Sequence, residues 1–142
     1  MKTLAWGIGL GIASQALDTE IATPLLTRIT GHAPDLSQFR SMIGNVAQLL
    51  FWLAVTWSVA AFGEEMVYRV YILNRAADAL GRTKLAWVFA ATLSSALFGL
   101  AHHYQGIVGV VDAAVLALIP VTAYLLSGNN LWIPIPGAWN RR

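Results

Sequence analysis

Apolar positions in this chain gather into long runs instead of alternating with polar ones. VAQLLFWLAVTWSVAAF (46–62), LAWVFAATLSSALFGLAHH (85–103) and GIVGVVDAAVLALIPVTAYLLS (106–127) hold almost no formal charge. A helix needs roughly 20 mostly apolar residues to cross a hydrocarbon core. The first of these runs predicts a helix from about Met42 through Phe62 and on to Ala79, because EEMVYRVYILNRAADAL contains no breaker and Gly81 then ends it. The last contains Asp112 and a kinking Pro120. LAWGIGLGIASQAL (4–17) makes a fourth, shorter and Gly-rich span; it follows a single Lys like a signal peptide, but no small-x-small cleavage site precedes a soluble domain, so it reads as a retained helix. Residues 18–42 carry charges, prolines and a glycine and predict a loop with a short interfacial helix. LWIPIPG (131–137) starts a fifth span and stops. The expectation is an all-α, polytopic transmembrane helical bundle of about four spanning helices and an incomplete fifth, built as a single membrane domain over residues 1–142.

Composition agrees with lipid as the solvent. Of 142 residues, 57% are hydrophobic and 11% charged, whereas soluble domains carry near 25% charge. The mean hydropathy is +0.61. No cysteine is present, which excludes disulfides, thiolate metal sites and a Cys nucleophile. The net charge of +2, without a basic run interleaved with aromatics, argues against nucleic acid as a partner and leaves membrane lipid. Arg75, Arg82 and Lys84 cluster in the turn after the second span, so that turn should be cytoplasmic. Counting outward puts Lys2 and the N-terminus in the cytoplasm, the 18–42 segment outside and Arg141 and Arg142 inside. A bacterial inner membrane is the expected setting.

Charge inside such a chain needs a reason, since intramembrane ionisable residues are costly and commonly functional. GEEMVYRV (63–70) supplies three. Glu65 and Arg69 stand at i and i+4 with the acid first, the favourable order for an ion pair. Glu64 has Tyr68 at that spacing and no cation, so its carboxylate is free to turn elsewhere. On the next helix Phe98 and His102 share a face. Counted from the turn at 80–84, Glu64 lies about 15 residues up its helix and His102 about 17 up the next, heights of ~22 and ~26 Å at roughly 1.5 Å per residue. A carboxylate and an imidazole at one depth can hold and deprotonate a water for attack on a peptide carbonyl.

EEMVYR fits EExxxR, and FGLAH, within FGLAHHYQGIVGVV, fits FxxxH. With LWIPI after a Gly-Asn-Asn turn, the ordered pair resembles the CPBP family: CAAX prenyl endopeptidases and Abi-like bacteriocin-processing enzymes. The likeness covers about residues 45–135. The resemblance implies an intramembrane endopeptidase in which Glu64 and His102 activate the hydrolytic water and Glu65 and Arg69 support them. It implies a prenylated or leader-peptide substrate. The family's later HxxxN or HxxxD pair, taken to stabilise the oxyanion, is not matched: its histidine slot falls on Ala138 and its Asn/Asp slot on Arg142, with Asn140 out of register. The chain therefore reads as truncated or frameshifted at its C-terminus, because codons for residues 136–139 read one base later can spell Leu-Ala-His-Gly. Asn140, His103 or backbone amides are the weaker candidates for oxyanion or substrate contacts.

Two alternatives stay open. Zinc would take Glu64 and His102 as ligands, but there is no HExxH and adjacent glutamates do not easily face one ion, so a reaction requiring no metal is favoured. The second is a truncated, non-catalytic membrane protein, a relic or an immunity or binding partner that keeps the groove. A third and weaker reading is a proton-relaying transporter. A chain ending mid-span would gain from an oligomer that completes the groove. Asp112 is a candidate partner of His102, His103 or Arg69; Ser94 and Ser95, with no GxSxG around them, read as helix-packing residues.

Overall fold

The computed structural model describes residues 2–56, 58 and 62–129, and every regular element among them is helical. The first helix is longer than expected. α1 (Lys2–Leu17) runs through wide, π-type turns at Asp18–Ala22 into α2 (Thr23–Thr30) without leaving right-handed helical dihedrals. The loop expected from residue 18 is thus helical to Thr30. Pro24, read as a breaker, sits in the first turn of α2, directly after the π-type turns. Gly31 stops the helix in the left-handed region at φ 71°. Residues 37–42 form one short 3-10 segment, Ser37–Met42.

α3 (Val46–Val55) begins four residues later than the expected Met42. Gly44 turns the chain at φ 76°, and the Asn45 side chain accepts the Gln48 N–H as an N-cap. α4 (Phe62–Glu64) leads into π-type turns at Glu65–Leu73 and then α5 (Asn74–Ala79). Gly81, at φ 76°, lies in the tight turn that follows. In that exposed turn Arg82 is paired with Asp78, and its guanidinium lies 5.4 Å from the Trp87 ring centre.

α6 (Lys84–Ala101) starts at Thr83, whose hydroxyl accepts the Ala86 N–H. α7 (Gly106–Leu116) and α8 (Leu118–Leu126) are two halves of the last run, broken at Ala117 by Pro120, as its position implied. α6 packs closely on α7 because Gly99 lies against the Val110 carbonyl; a Cβ there would come within 2.6 Å of the Ala114 methyl. Leu73, Ala77, Ala90, Val121 and Tyr124 form the small core joining α5, α6 and α8.

Among the described residues two helical stretches, Lys84–Ala101 and His103–Leu126, are long and apolar enough to cross a membrane. A core helix of a soluble protein would be mostly buried, yet only 28% and 22% of these windows are. Their outward positions are Leu85, Val88, Phe89, Ile107 and Val115, a face that suits lipid.

Candidate active site

π-type turns at Glu65–Leu73 shift the backbone hydrogen-bond pattern, and such departures occur frequently at functional sites. The carbonyls they displace are answered by side chains. Ser94, fully buried on α6, donates to the Tyr68 carbonyl at 2.7 Å. Asn74 Nδ2 lies 2.9 Å from the Arg69 carbonyl, 3.0 Å from that of Val70 and 3.0 Å from the Tyr124 hydroxyl. Ser94 therefore holds α6 against the Glu65–Leu73 segment, consistent with a helix-packing residue.

Those contacts set Glu65 and Arg69 inside the protein. Arg69 is 1% exposed and Glu65 8%. Arg69 Nη1 lies 3.3 Å from Glu65 Oε1, the ion pair anticipated from their spacing. Among the described residues Arg69 Nε and Nη1 and Glu65 Oε2 have no hydrogen-bond partner. The Arg69 guanidinium sits 4.9 Å from the Phe98 ring centre, a cation–π contact.

Phe98 organises the rest. Its ring meets Tyr68 edge-on at 5.1 Å and stacks, tilted, on His102 at 4.7 Å. His102 forms the C-terminal cap of α6, and its Nδ1 lies 2.9 Å from the Phe98 carbonyl. A carbonyl can only accept, so Nδ1 carries the proton and Nε2 of the neutral ring is left as a base or acceptor. Tyr104 flanks the other side at 5.7 Å. The phenylalanine of FxxxH thus orients the histidine through its ring and its backbone.

Glu64 is half-buried and immediately precedes the Glu65–Leu73 segment, which packs on α6, the helix that His102 caps. A cavity of about 330 Å³ opens beside them, lined by Glu65, Arg69, Phe98 and His102 from this cluster. Glu65, not Glu64, contributes to that lining. His103 is exposed, donates from Nδ1 to the Leu100 carbonyl at 3.2 Å and takes no part in the lining. Asn140 and the slots at Ala138 and Arg142 lie outside the described residues.

Two acidic residues enter the cavity that sequence spacing had not joined. Asp112, a candidate partner of His102, His103 or Arg69, shares the cavity lining with His102 and Arg69, and also with Asp18, the first residue of the turns after α1. Both line the cavity, with Ser14, Gln15 and Gln105. Reading residues 18–42 as loop hid this arrangement. The available signal was the absence of a breaker between Asp18 and Pro24, which lets α1 carry Asp18 alongside α7.

Comparison with known proteins follows the same residues. Positions 46–136 match the family model described as type II CAAX prenyl endopeptidase, Rce1-like. No curated protein and no solved structure matches the chain.

Proposed function

Since the chain belongs to the Rce1-like family of type II CAAX prenyl endopeptidases, we propose that it is an intramembrane endopeptidase whose nucleophile is a water held between Glu64 and His102. The observation that supports this is the packing of the Glu65–Leu73 segment, which Glu64 immediately precedes, on α6, whose C-terminal His102 has its Nδ1 2.9 Å from the Phe98 carbonyl. Glu64 takes a proton as the water oxygen bonds to the scissile carbonyl carbon. His102 Nε2 accepts a hydrogen bond from the other O–H of the water, which stays on the oxygen, and so orients the attack. The proton on Glu64 then passes to the leaving amide nitrogen as the C–N bond breaks. Glu65 and Arg69 hold the helix that carries Glu64. Oxyanion donors come from Asn140 or backbone amides.

The substrate we propose is a membrane-associated peptide, prenylated or bearing a leader. Zinc is the chemical rival, with Glu64 and His102 as two ligands. Catalytic zinc takes three protein ligands, and among the described residues no three His, Cys, Asp or Glu side chains converge. The reaction we propose requires no metal. Purified protein in detergent should cleave an internally quenched prenylated peptide at the same rate before and after metal stripping with a chelator. Loss of rate on stripping, restored by zinc, would replace the water-only mechanism. No cleavage of prenylated or leader peptides would favour a non-catalytic binding role, which Ala138 at the family's histidine slot also favours.

We further propose that the four apolar runs of the sequence each cross the membrane, with a cytoplasmic N-terminus in a bacterial inner membrane. Asp35 N–H donates to the Gln105 carbonyl at 3.1 Å, tying the segment after α2 to the α6–α7 turn, at the opposite end of α6 from Arg82. The protein has no native cysteine, so single substitutions report sidedness cleanly. His32→Cys should react with an impermeant maleimide in intact cells and Lys84→Cys only after lysis. The reverse pattern would invert the topology.

A further inference from the structure

Gln105 lines the cavity with Arg69, Phe98 and His102, and the chain around it is shaped to hold it there. The 3-10 turn His103–Gln105 brings it in directly after the histidine. Its N–H donates to the His102 carbonyl at 3.0 Å, and its own carbonyl accepts the Asp35 N–H at 3.1 Å. Gly106 follows at φ 76° and ψ −175°, a conformation open essentially to glycine alone. The Gln105 side chain then lies against Gly109, where a Cβ would come within 2.2 Å of the Gln105 Cβ and 3.0 Å of its Oε1. Gly106 and Gly109 thus fix one glutamine on the turn that follows His102. Gln105 Nε2 donates to the Tyr104 hydroxyl at 3.1 Å, and the second hydrogen of that amide has no acceptor among the described residues. The Tyr104 ring flanks His102 at 5.7 Å, so the tyrosine that orients the amide also borders the imidazole.

Resting on the protease reading above, we propose that Gln105 is a further catalytic residue, the donor that receives the scissile carbonyl oxygen as it becomes an oxyanion. As the water oxygen bonds to the carbonyl carbon and a water proton moves to Glu64, the C=O π pair goes to the oxygen, and the free Gln105 N–H donates to it. When that pair re-forms the double bond, the C–N bond breaks and its electrons go to nitrogen, which takes the proton from Glu64. A primary amide neither gains nor loses a proton through this cycle, and one already held in place needs no reorganisation as the charge develops. Arg69 is not an equivalent donor, because it is ion-paired with Glu65 and its Nε and Nη1 are fully enclosed. Ala138, at the slot of the family's histidine, has no side-chain donor. Gln105 places one on the His102 turn instead.

A tetrahedral mimic tests this without turnover. Two fluorescent farnesylated peptides are titrated into the Glu64→Gln protein in detergent micelles and read by anisotropy. One has an ordinary amide after the farnesylated cysteine; the other has a phosphinate there, whose charged oxygens imitate the attacked carbonyl. The phosphinate should bind at least about tenfold more tightly than the amide. Adding Gln105→Met, which keeps the side-chain length but has no N–H, should weaken the phosphinate by about 10–100-fold, the range for a hydrogen bond to a charged group. Amide binding should stay within about twofold, since the ground state lacks that charge. Gln105→Asn, an amide one methylene shorter, should fall between. Equal binding of the two peptides, binding of neither, or a phosphinate preference that survives Gln105→Met would overturn the assignment. Equal loss of both peptides in Gln105→Met and Gln105→Asn would make Gln105 a structural residue and overturn it too. Cleavage is a separate measurement. With Glu64 intact, Gln105→Met should lower kcat by about 10²–10³-fold with KM little changed. Hydrolysis at an unchanged rate sinks only Gln105, and a Gln105-dependent phosphinate preference in a protein that hydrolyses nothing sinks only the protease.

Discussion

Glu64→Gln should reduce peptide cleavage by about 10²–10⁴-fold, the usual contribution of a positioned general base. Gln keeps the shape and hydrogen-bonding reach of Glu but cannot take a proton from water. Its effect should fall on kcat, with KM little changed, because the ground state loses no contact that distinguishes substrate from transition state. The position suits this test: Glu64 is half-buried and makes no ion pair with Arg69, so the protein should fold with its helicity intact. The parallel change Glu65→Gln reports a different role. Glu65 is the residue held against Arg69, so its loss should act on stability and peptide binding more than on the proton transfer. An unchanged rate in Glu64→Gln, with equal expression, would remove Glu64 from the chemistry. A rate lost in Glu65→Gln but kept in Glu64→Gln would exchange their roles, an outcome made concrete by the cavity, which Glu65 lines and Glu64 does not.

The second large effect concerns stability. Arg69→Met should destabilise the protein by about 3–5 kcal/mol, because it removes one member of a buried ion pair and strands the other. Arg69 is 1% exposed, touches Glu65 and covers the face of Phe98. Methionine fills much of the volume and keeps a favourable contact with the ring, so the loss measures charge more than packing. The partner change should rescue it. Glu65→Leu with Arg69→Met leaves no orphaned charge, and such apolar replacements of buried pairs are often neutral or stabilising. Unfolding in mixed micelles, followed by circular dichroism, should therefore rank the double variant above Arg69→Met alone. If both variants unfold together, the pair is not coupled, and the placement of α4 and the turns after it must depend on Ser94 and Asn74 instead.

The two experiments separate chemistry from support. A fall in rate with stability unchanged belongs to the water-activating pair. A fall in both, recovered by the Glu65, Arg69 double change, belongs to the scaffold.

Much of this was legible in the chain itself. Helical class, lipid as solvent and the boundaries near Gly81, Lys84 and Pro120 follow from apolar runs and backbone chemistry, which act locally. The Glu65–Arg69 pair follows from i,i+4 spacing, and membership of the family from EExxxR and FxxxH read in order. Only the tertiary structure decided where the side chains look. Phe98 gathers Tyr68, Arg69 and His102 because wide turns at Glu65–Leu73 present two of them to α6, and no residue pattern announces a π-type turn. The continuation of α1 past Asp18 was equally hidden, since charges and a proline signal a loop locally while the helix persists to Gly31 and packs α2 on α7. From that packing came the presence of Asp18 and Asp112, far apart along the chain, in the lining of one cavity.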